Sequence, residues 1–226
     1  MRKITLFFVA AFATIGLSLP HEVSAKEENS TEEKSYTVED YENYLQNYSP
    51  QDAINAGVNL DYVDEAVEES SKVLEEFKSL SKDDQQRTVE SFFKPQMQTI
   101  GSDLEDDTMS ILADKSVSYQ NSVKFFGANQ TTYRVSASYR VTSGKVKKIL
   151  SSSAVVVRNW NPVVKTGLNK GGKSAWVTGD NKAAVKGSFY YQIGPIKDIG
   201  IQLGNVYLKA VGDKNGKRTY KKMWRD

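Results

Sequence analysis

Tyr133-Arg134-Val135-Ser136-Ala137-Ser138-Tyr139-Arg140-Val141 decides the fold. Tyr133, Val135, Ala137, Tyr139 and Val141 alternate with Arg134, Ser136, Ser138 and Arg140. Period two predicts a β-strand with one face buried and the other in water. Ser143-Gly144 then supplies a hairpin turn, and the run from Val146 through Val157 predicts the next strand, ending at Asn159-Trp160-Asn161-Pro162. Upstream, Val117, Tyr119, Val123 and Phe125 share one parity.

The pattern continues toward the C-terminus. Lys170-Gly171-Gly172-Lys173 and Gly179-Asp180-Asn181 bracket a short predicted strand carrying Trp176. Val185, Phe189, Tyr191 and Ile193 alternate up to Gly194-Pro195. Ile199, Ile201 and Leu203 predict one strand, Val206, Leu208 and Ala210 another, and Asp213-Lys214-Asn215-Gly216 a last turn. Residues 116–226 therefore predict a basic all-β domain, an antiparallel sandwich or barrel of about 7–8 strands.

The preceding region has a different period. In residues 36–100, Thr37 predicts an N-cap, with Glu39 and Asp40 in the first turn and Tyr41, Tyr44, Leu45 and Tyr48 at helical spacing. Ser49-Pro50 opens a short second helix ending at Gly57. Asn59 or Asp61 opens a third, whose apolar stripe runs through Val63, Ala66, Val67, Val73, Leu74 and Phe77. Ser81 caps a fourth, with Val89, Phe92 and Phe93 as its buried face and Pro95 as its end or kink. The whole chain is thus expected to be α+β: an N-terminal helical segment followed by the β-structure.

Charge divides at the same place. Residues 26–115 hold 23 Asp and Glu against 8 Lys and Arg, a balance of −15; residues 116–226 hold 4 against 20, a balance of +16. The wet positions of the strands are largely Lys and Arg. Part of that protects sheet edges from aggregation, but the excess points to an anionic partner or to contact between the halves. Two arrangements remain open: electrostatic docking of the halves, or independent modules joined by residues 101–115.

The N-terminus reads as an export signal. Met1-Arg2-Lys3 is a charged start, Ile4 to Leu19 a mostly apolar run, and Val23-Ser24-Ala25 a small-residue cleavage site. A membrane anchor is the competing reading; the run is shorter than the ~20 apolar residues a spanning helix needs. With residues 1–25 removed, 26–35 form a polar leader expected to be disordered. The only histidine, His21, leaves with the signal, and there is no cysteine. A secreted chain without disulfides fits a Gram-positive bacterium.

This composition excludes Ser-His-Asp and Cys-His catalysis and the usual zinc sites in the mature chain. Ser79-Leu80-Ser81-Lys82 and Lys165-Thr166-Gly167 match motifs of penicillin-recognising enzymes, but no Ser-Asp-Asn lies between them and Ser81 fits a helix cap better. Ser102-Asp103-Leu104-Glu105-Asp106-Asp107 has a calcium-like composition without the loop's register. A carboxylate-pair glycan hydrolase needs neither His nor Cys, yet the β-region offers only Asp180, Asp198, Asp213 and Asp226. No metal or cofactor is expected. Interleaved basic and aromatic residues also suit nucleic acid, but export removes the protein from it.

The stretch Leu80-Ser81-Lys82-Asp83-Asp84-Gln85-Gln86-Arg87 through Phe92-Phe93 resembles a helix of secreted Gram-positive proteins in which a signal peptide and helical leader precede a basic, cysteine-free β-domain. Some of these are bacteriocin-like. The resemblance implies envelope-directed or antimicrobial activity and carries over no functional residue.

The expectation is a secreted, non-enzymatic protein, extracellular or loosely wall-associated, that acts on or binds bacterial envelopes. The alternatives are a passive wall or matrix module and a carboxylate-based glycan hydrolase. Its partners would be anionic envelope polymers or a membrane surface. The candidate contacts are Arg134, Arg140, Lys145, Lys147, Lys170, Lys173, Trp176 and Lys186.

Overall fold

The alternating segment from Tyr133 to Val141 lies within a long strand, β3 (Ala128–Thr142), in a computed structural model of the chain. The structure describes residues 36–93, 99–101, 114–125, 128–193 and 201–226. The readings of the signal peptide, the leader, Pro95, the acidic run 102–107, Gly194-Pro195 and Ile199 lie outside them.

Among the described residues, four helices and two four-stranded antiparallel sheets make an α+β fold. The helices are α1 (Val38–Gln46), α2 (Pro50–Ala56), α3 (Val63–Ser79) and α4 (Lys82–Ser91), with a 3-10 turn at Leu60–Tyr62. The first sheet runs β1 (Thr99–Ile100), β2 (Asp114–Phe125), β3 and β4 (Lys145–Asn159). The second runs β5 (Val164–Val177), β6 (Ala183–Ile193), β7 (Ile201–Gly212) and β8 (Arg218–Arg225). Strands in both sheets follow chain order, so each connection is a hairpin or short loop where described. The described residues belong to one compact unit.

Side-chain parity explains the packing. Val135 pairs with Tyr119 on β2 and Ala154 on β4, and all three are buried. On the second sheet Val185, Phe189, Val206, Leu208 and Ala210 are fully buried. These two faces meet: the Tyr133 and Phe189 rings lie 4.8 Å apart, and Tyr139 donates a 2.7 Å hydrogen bond to the Asp213 carbonyl. Gly187 makes the approach possible, because a Cβ there would sit 2.8 Å from Val135 Cγ1 and from the Phe189 ring.

The helices begin where their sequences say. Thr37 and Ser49 form capping boxes with Asp40 and Asp52, and Ser81 accepts from the Asp84 amide. Each cap is worth about 1 kcal/mol. Asn59 caps the 3-10 turn, and α3 starts after it at Val63. Gly57 ends α2 at φ 96°, where its missing side chain also lets the Thr166 carbonyl come close. Tyr41 is enclosed by the rings of Phe77 and Phe92, with centroids 4.9 and 4.8 Å away. Gln85, almost fully buried in α4, donates to the carbonyls of Phe77, Lys78 and Leu80 and so closes the C-terminal end of α3.

Helices and strands share this core. Tyr41 donates to the Gln130 side chain, Tyr48 to the Asn159 carbonyl and the Trp160 indole to the Ala66 carbonyl. Asn159 donates in turn to the carbonyls of Ala56 and Val164. The joint is built mainly from apolar side chains and neutral hydrogen bonds. Arg158 adds its charged contact, pairing with Glu69 and, at 3.8 Å, Glu65, while its guanidinium lies 5.3 Å from the Trp160 ring centre.

Four local readings need correction. Phe93 is 43 % exposed and does not share the buried face of Val89 and Phe92. Thr99–Ile100 pairs with β2, and β2 begins at Asp114, so strand structure enters both the helical and linker segments of the sequence map. Lys170-Gly171-Gly172-Lys173 is not a strand boundary: it is a bulge within β5, between Leu168 opposite Phe189 and Lys173 opposite Gly187. The two strands expected on either side of Gly204 are one strand, β7. In both last cases glycine distorts the strand without ending it.

Candidate functional site

The outer face of the second sheet carries an ordered surface. Cross-strand register aligns its residues in rows running across β5, β6, β7 and β8. Trp176, Ala184, Val211 and Tyr220 form the first row, and Ser174, Lys186, Lys209 and Lys222 the second. Ser188, Tyr207 and Trp224 form the third. Beyond it, Tyr190 pairs with Asn205, whose carbonyl accepts from the Asp226 amide. Three lysines thus stand on neighbouring strands, about 4.8 Å apart at the backbone, between two aromatic rows.

The lysines lean alternately. The Lys186 ammonium lies 4.9 Å from the Tyr207 ring centre and 5.6 Å from that of Trp224. The Lys209 ammonium leans the other way, 5.4 Å from Trp176 and 5.6 Å from Tyr220. Lys222 returns to Trp224 at 5.7 Å. Alternation separates like charges, and each ring contributes about 0.5–1 kcal/mol of cation–π attraction at an exposed site. Among the described residues, none of the three lysines is ion-paired with a carboxylate. Tyr207 and Trp224 stack on each other, 5.1 Å between centroids. Lys209 and Tyr220 also border a shallow depression of about 380 Å³ that reaches Thr178 and Lys182.

A polar network adjoins the third row. Asn169 on β5 donates to Ser188 Oγ at 2.9 Å and to Asn205 Oδ1 at 2.7 Å. The Asp226 carboxylate accepts from the Asn205 amide at 2.6 Å and the Tyr207 hydroxyl at 2.7 Å. The Tyr207 hydrogen bond, more than any other contact, holds Asp226 below the ordinary carboxylate range.

The sequence-selected residues fall into different settings. Trp176 and Lys186 belong to the row system. Arg134 is held under the helices, donating to the Tyr62 hydroxyl at 3.1 Å and stacking on its ring. Arg140 pairs with Asp114 at 3.1 Å across the β2–β3 edge. Lys173 donates to the Ser152 carbonyl on β4, on the side toward the first sheet. Lys145 and Lys147 are exposed at the start of β4, and Lys170 is exposed in the β5 bulge. Sequence reasoning missed Lys209, Lys222, Tyr207, Tyr220 and Trp224. Their signal was the same period two: Tyr207 with Lys209, and Tyr220, Lys222 and Trp224, each share a parity.

No protein-family model, curated protein or solved structure matches the chain. Among the described residues no helix is long and apolar enough to cross a membrane.

Proposed function

We propose that this is a secreted, non-enzymatic protein that binds anionic polymers of the bacterial envelope through the outer face of the second sheet. The observation that carries the reading is the row Lys186–Lys209–Lys222, which forms no ion pair with a carboxylate among the described residues and is flanked by aromatic rows. Three adjacent unneutralised ammonium groups repel one another, so an external anion gains from all three. Export of the chain, read from residues 1–25, selects envelope polymers over nucleic acid. The absence of Cys, and of His beyond His21, supports binding over turnover.

The two sheets act as a sandwich in this proposal. They have separate strand orders, and their buried faces meet at Tyr133, Phe189 and Gly187. The helical segment serves as a structural element that packs on the strands through Tyr41, Tyr48 and Trp160.

Sedimentation of the full secreted chain with isolated Gram-positive cell walls tests the function. Binding at low salt that is largely lost in molar salt is expected. Absence of binding at low salt would sink the reading. Growth inhibition in parallel cultures separates an antimicrobial from a passive binder.

A further inference from the structure

We infer that the surface recognises an acidic polysaccharide, a chain of hydroxyl-bearing sugar rings with repeated anionic groups, in preference to an anionic bilayer or a bare polyphosphate. This rests on the proposed binding face and names the chemistry that fits it. Three kinds of group occur there in a fixed order along the strands. Lys186, Lys209 and Lys222 provide cations. The next row provides the stacked rings of Tyr207 and Trp224. The row after that provides hydrogen-bond acceptors around Asp226. Successive rows lie about 7 Å apart, two residues along a strand.

The acceptor row has a definite polarity. Asn169 uses both amide hydrogens internally, on Ser188 and Asn205, so only its side-chain oxygen is left to engage a ligand. Tyr207 spends its hydroxyl hydrogen on Asp226, and Asn205 gives its backbone and side-chain donors to the same carboxylate. The network therefore spends the donors of Asn169, Asn205 and Tyr207 internally, leaves the Ser188 hydroxyl hydrogen over, and is rich in oxygen lone pairs. Such acceptors suit sugar hydroxyls, which can donate to them, and gain nothing from a bare phosphate chain, which has no hydroxyl to donate. A sugar unit meets all three demands: its anionic substituent at the lysines, its C–H face at the aromatic row, its hydroxyls at Asp226 and Asn169. A polyphosphate meets only the first.

The geometry also disfavours a bilayer. An aromatic that inserts into lipid must leave its polar neighbours behind. Here Trp224 is tied to Tyr207 and to two ammonium groups, and Trp176 and Tyr220 share the ammonium of Lys209. Their insertion would bury charge without a partner.

The test is titration of the full secreted chain with oligogalacturonate, with inorganic polyphosphate of matched charge, and with phosphatidylglycerol vesicles. Oligogalacturonate is expected to bind most tightly. Asp226→Asn gives a test by sign. It removes a negative charge, so electrostatics alone would tighten binding of every polyanion. The inference predicts about threefold weaker oligogalacturonate binding, as for one lost hydrogen bond, with polyphosphate binding unchanged or tighter. Asn169→Ala should act like Asp226→Asn on the saccharide. Thermal melts of both variants check that the fold is intact. Tightening of both ligands by Asp226→Asn would overturn the inference and leave the proposed function standing, as would tighter binding of polyphosphate or vesicles. No binding to any of the three probes would overturn the inference and count against the proposed function.

Discussion

Among the places where basic side chains lie over aromatic rings, two regions do opposite things with them. Under the helices, Arg158 lies over Trp160 and Arg134 over Tyr62, each with a further partner: Glu69 and Glu65 for the first, the Tyr62 hydroxyl for the second. Burial lowers the tendency of Arg158 to stay charged, and Glu65 offsets this. On the second sheet, Lys186, Lys209 and Lys222 have the rings but no carboxylate within ion-pair distance among the described residues. A basic residue beside an aromatic is therefore not by itself a site. Where the charge is already satisfied the pair is structural; where it is left open on a rigid sheet it is available to a ligand.

The comparison can be broken from either side. The largest effect is expected from Trp160→Ala. It empties a nearly fully buried site and removes the hydrogen bond to Ala66, so a stability loss of roughly 4 kcal/mol should appear in urea melts. Arg158→Ala should follow at about 1–2 kcal/mol, because it leaves Glu69 without its partner in a half-covered joint. A loss under 1 kcal/mol for both would mean that the helices do not depend on this contact. Neither change touches the outer face of the second sheet, so binding by the folded fraction should be unaffected.

The lysine row should show the reverse pattern. Replacing Lys186, Lys209 and Lys222 together with Gln should weaken wall binding at low salt roughly tenfold or more. The melting temperature should fall only modestly, since relieved repulsion offsets part of the lost cation–π attraction. A large drop in stability would show that the row is structural after all.

The smallest effect concerns pH. Residues 26–226 contain no histidine and no cysteine, so no side chain there is an ordinary neutral-range titrator. Stability should then stay nearly constant from about pH 6 to 9. Burial pushes the Tyr36 and Tyr139 hydroxyls up to about 12. A raised folded-state pKa gives stability that is complete below the unfolded value of about 10 and is lost as pH rises toward 12. Melts across pH 6–12 should show that loss beginning near pH 10; a transition near pH 7 would contradict it.

Much of this was readable from the sequence, and the failures have physical causes. Thr37, Ser49 and Ser81 were legible as caps because capping chemistry is local. The β2–β3–β4 region was legible because alternation survives single-residue bulges. The β5 bulge and Gly204 were misread because glycine signals a distortion without saying whether the strand resumes. Two of the eight residues chosen as contacts, Trp176 and Lys186, share the row system, and its other members went unseen. Period two assigns a residue to a face; only the register between strands shows which lysines become neighbours. Helix packing also drew Arg134 out of the exposed set, and no local pattern announces that Tyr62 will lie over it.

The most direct test of the central claim compares two triple variants that change net charge equally. One is Lys186, Lys209 and Lys222 to Gln. The other is Lys145, Lys147 and Lys148 to Gln, at the exposed start of β4. Both are titrated onto isolated cell walls at low salt alongside the unaltered chain. If the ordered row is the binding surface, the first variant loses at least about ten times more affinity than the second. Equal losses would mean that net charge, and not this face, does the binding.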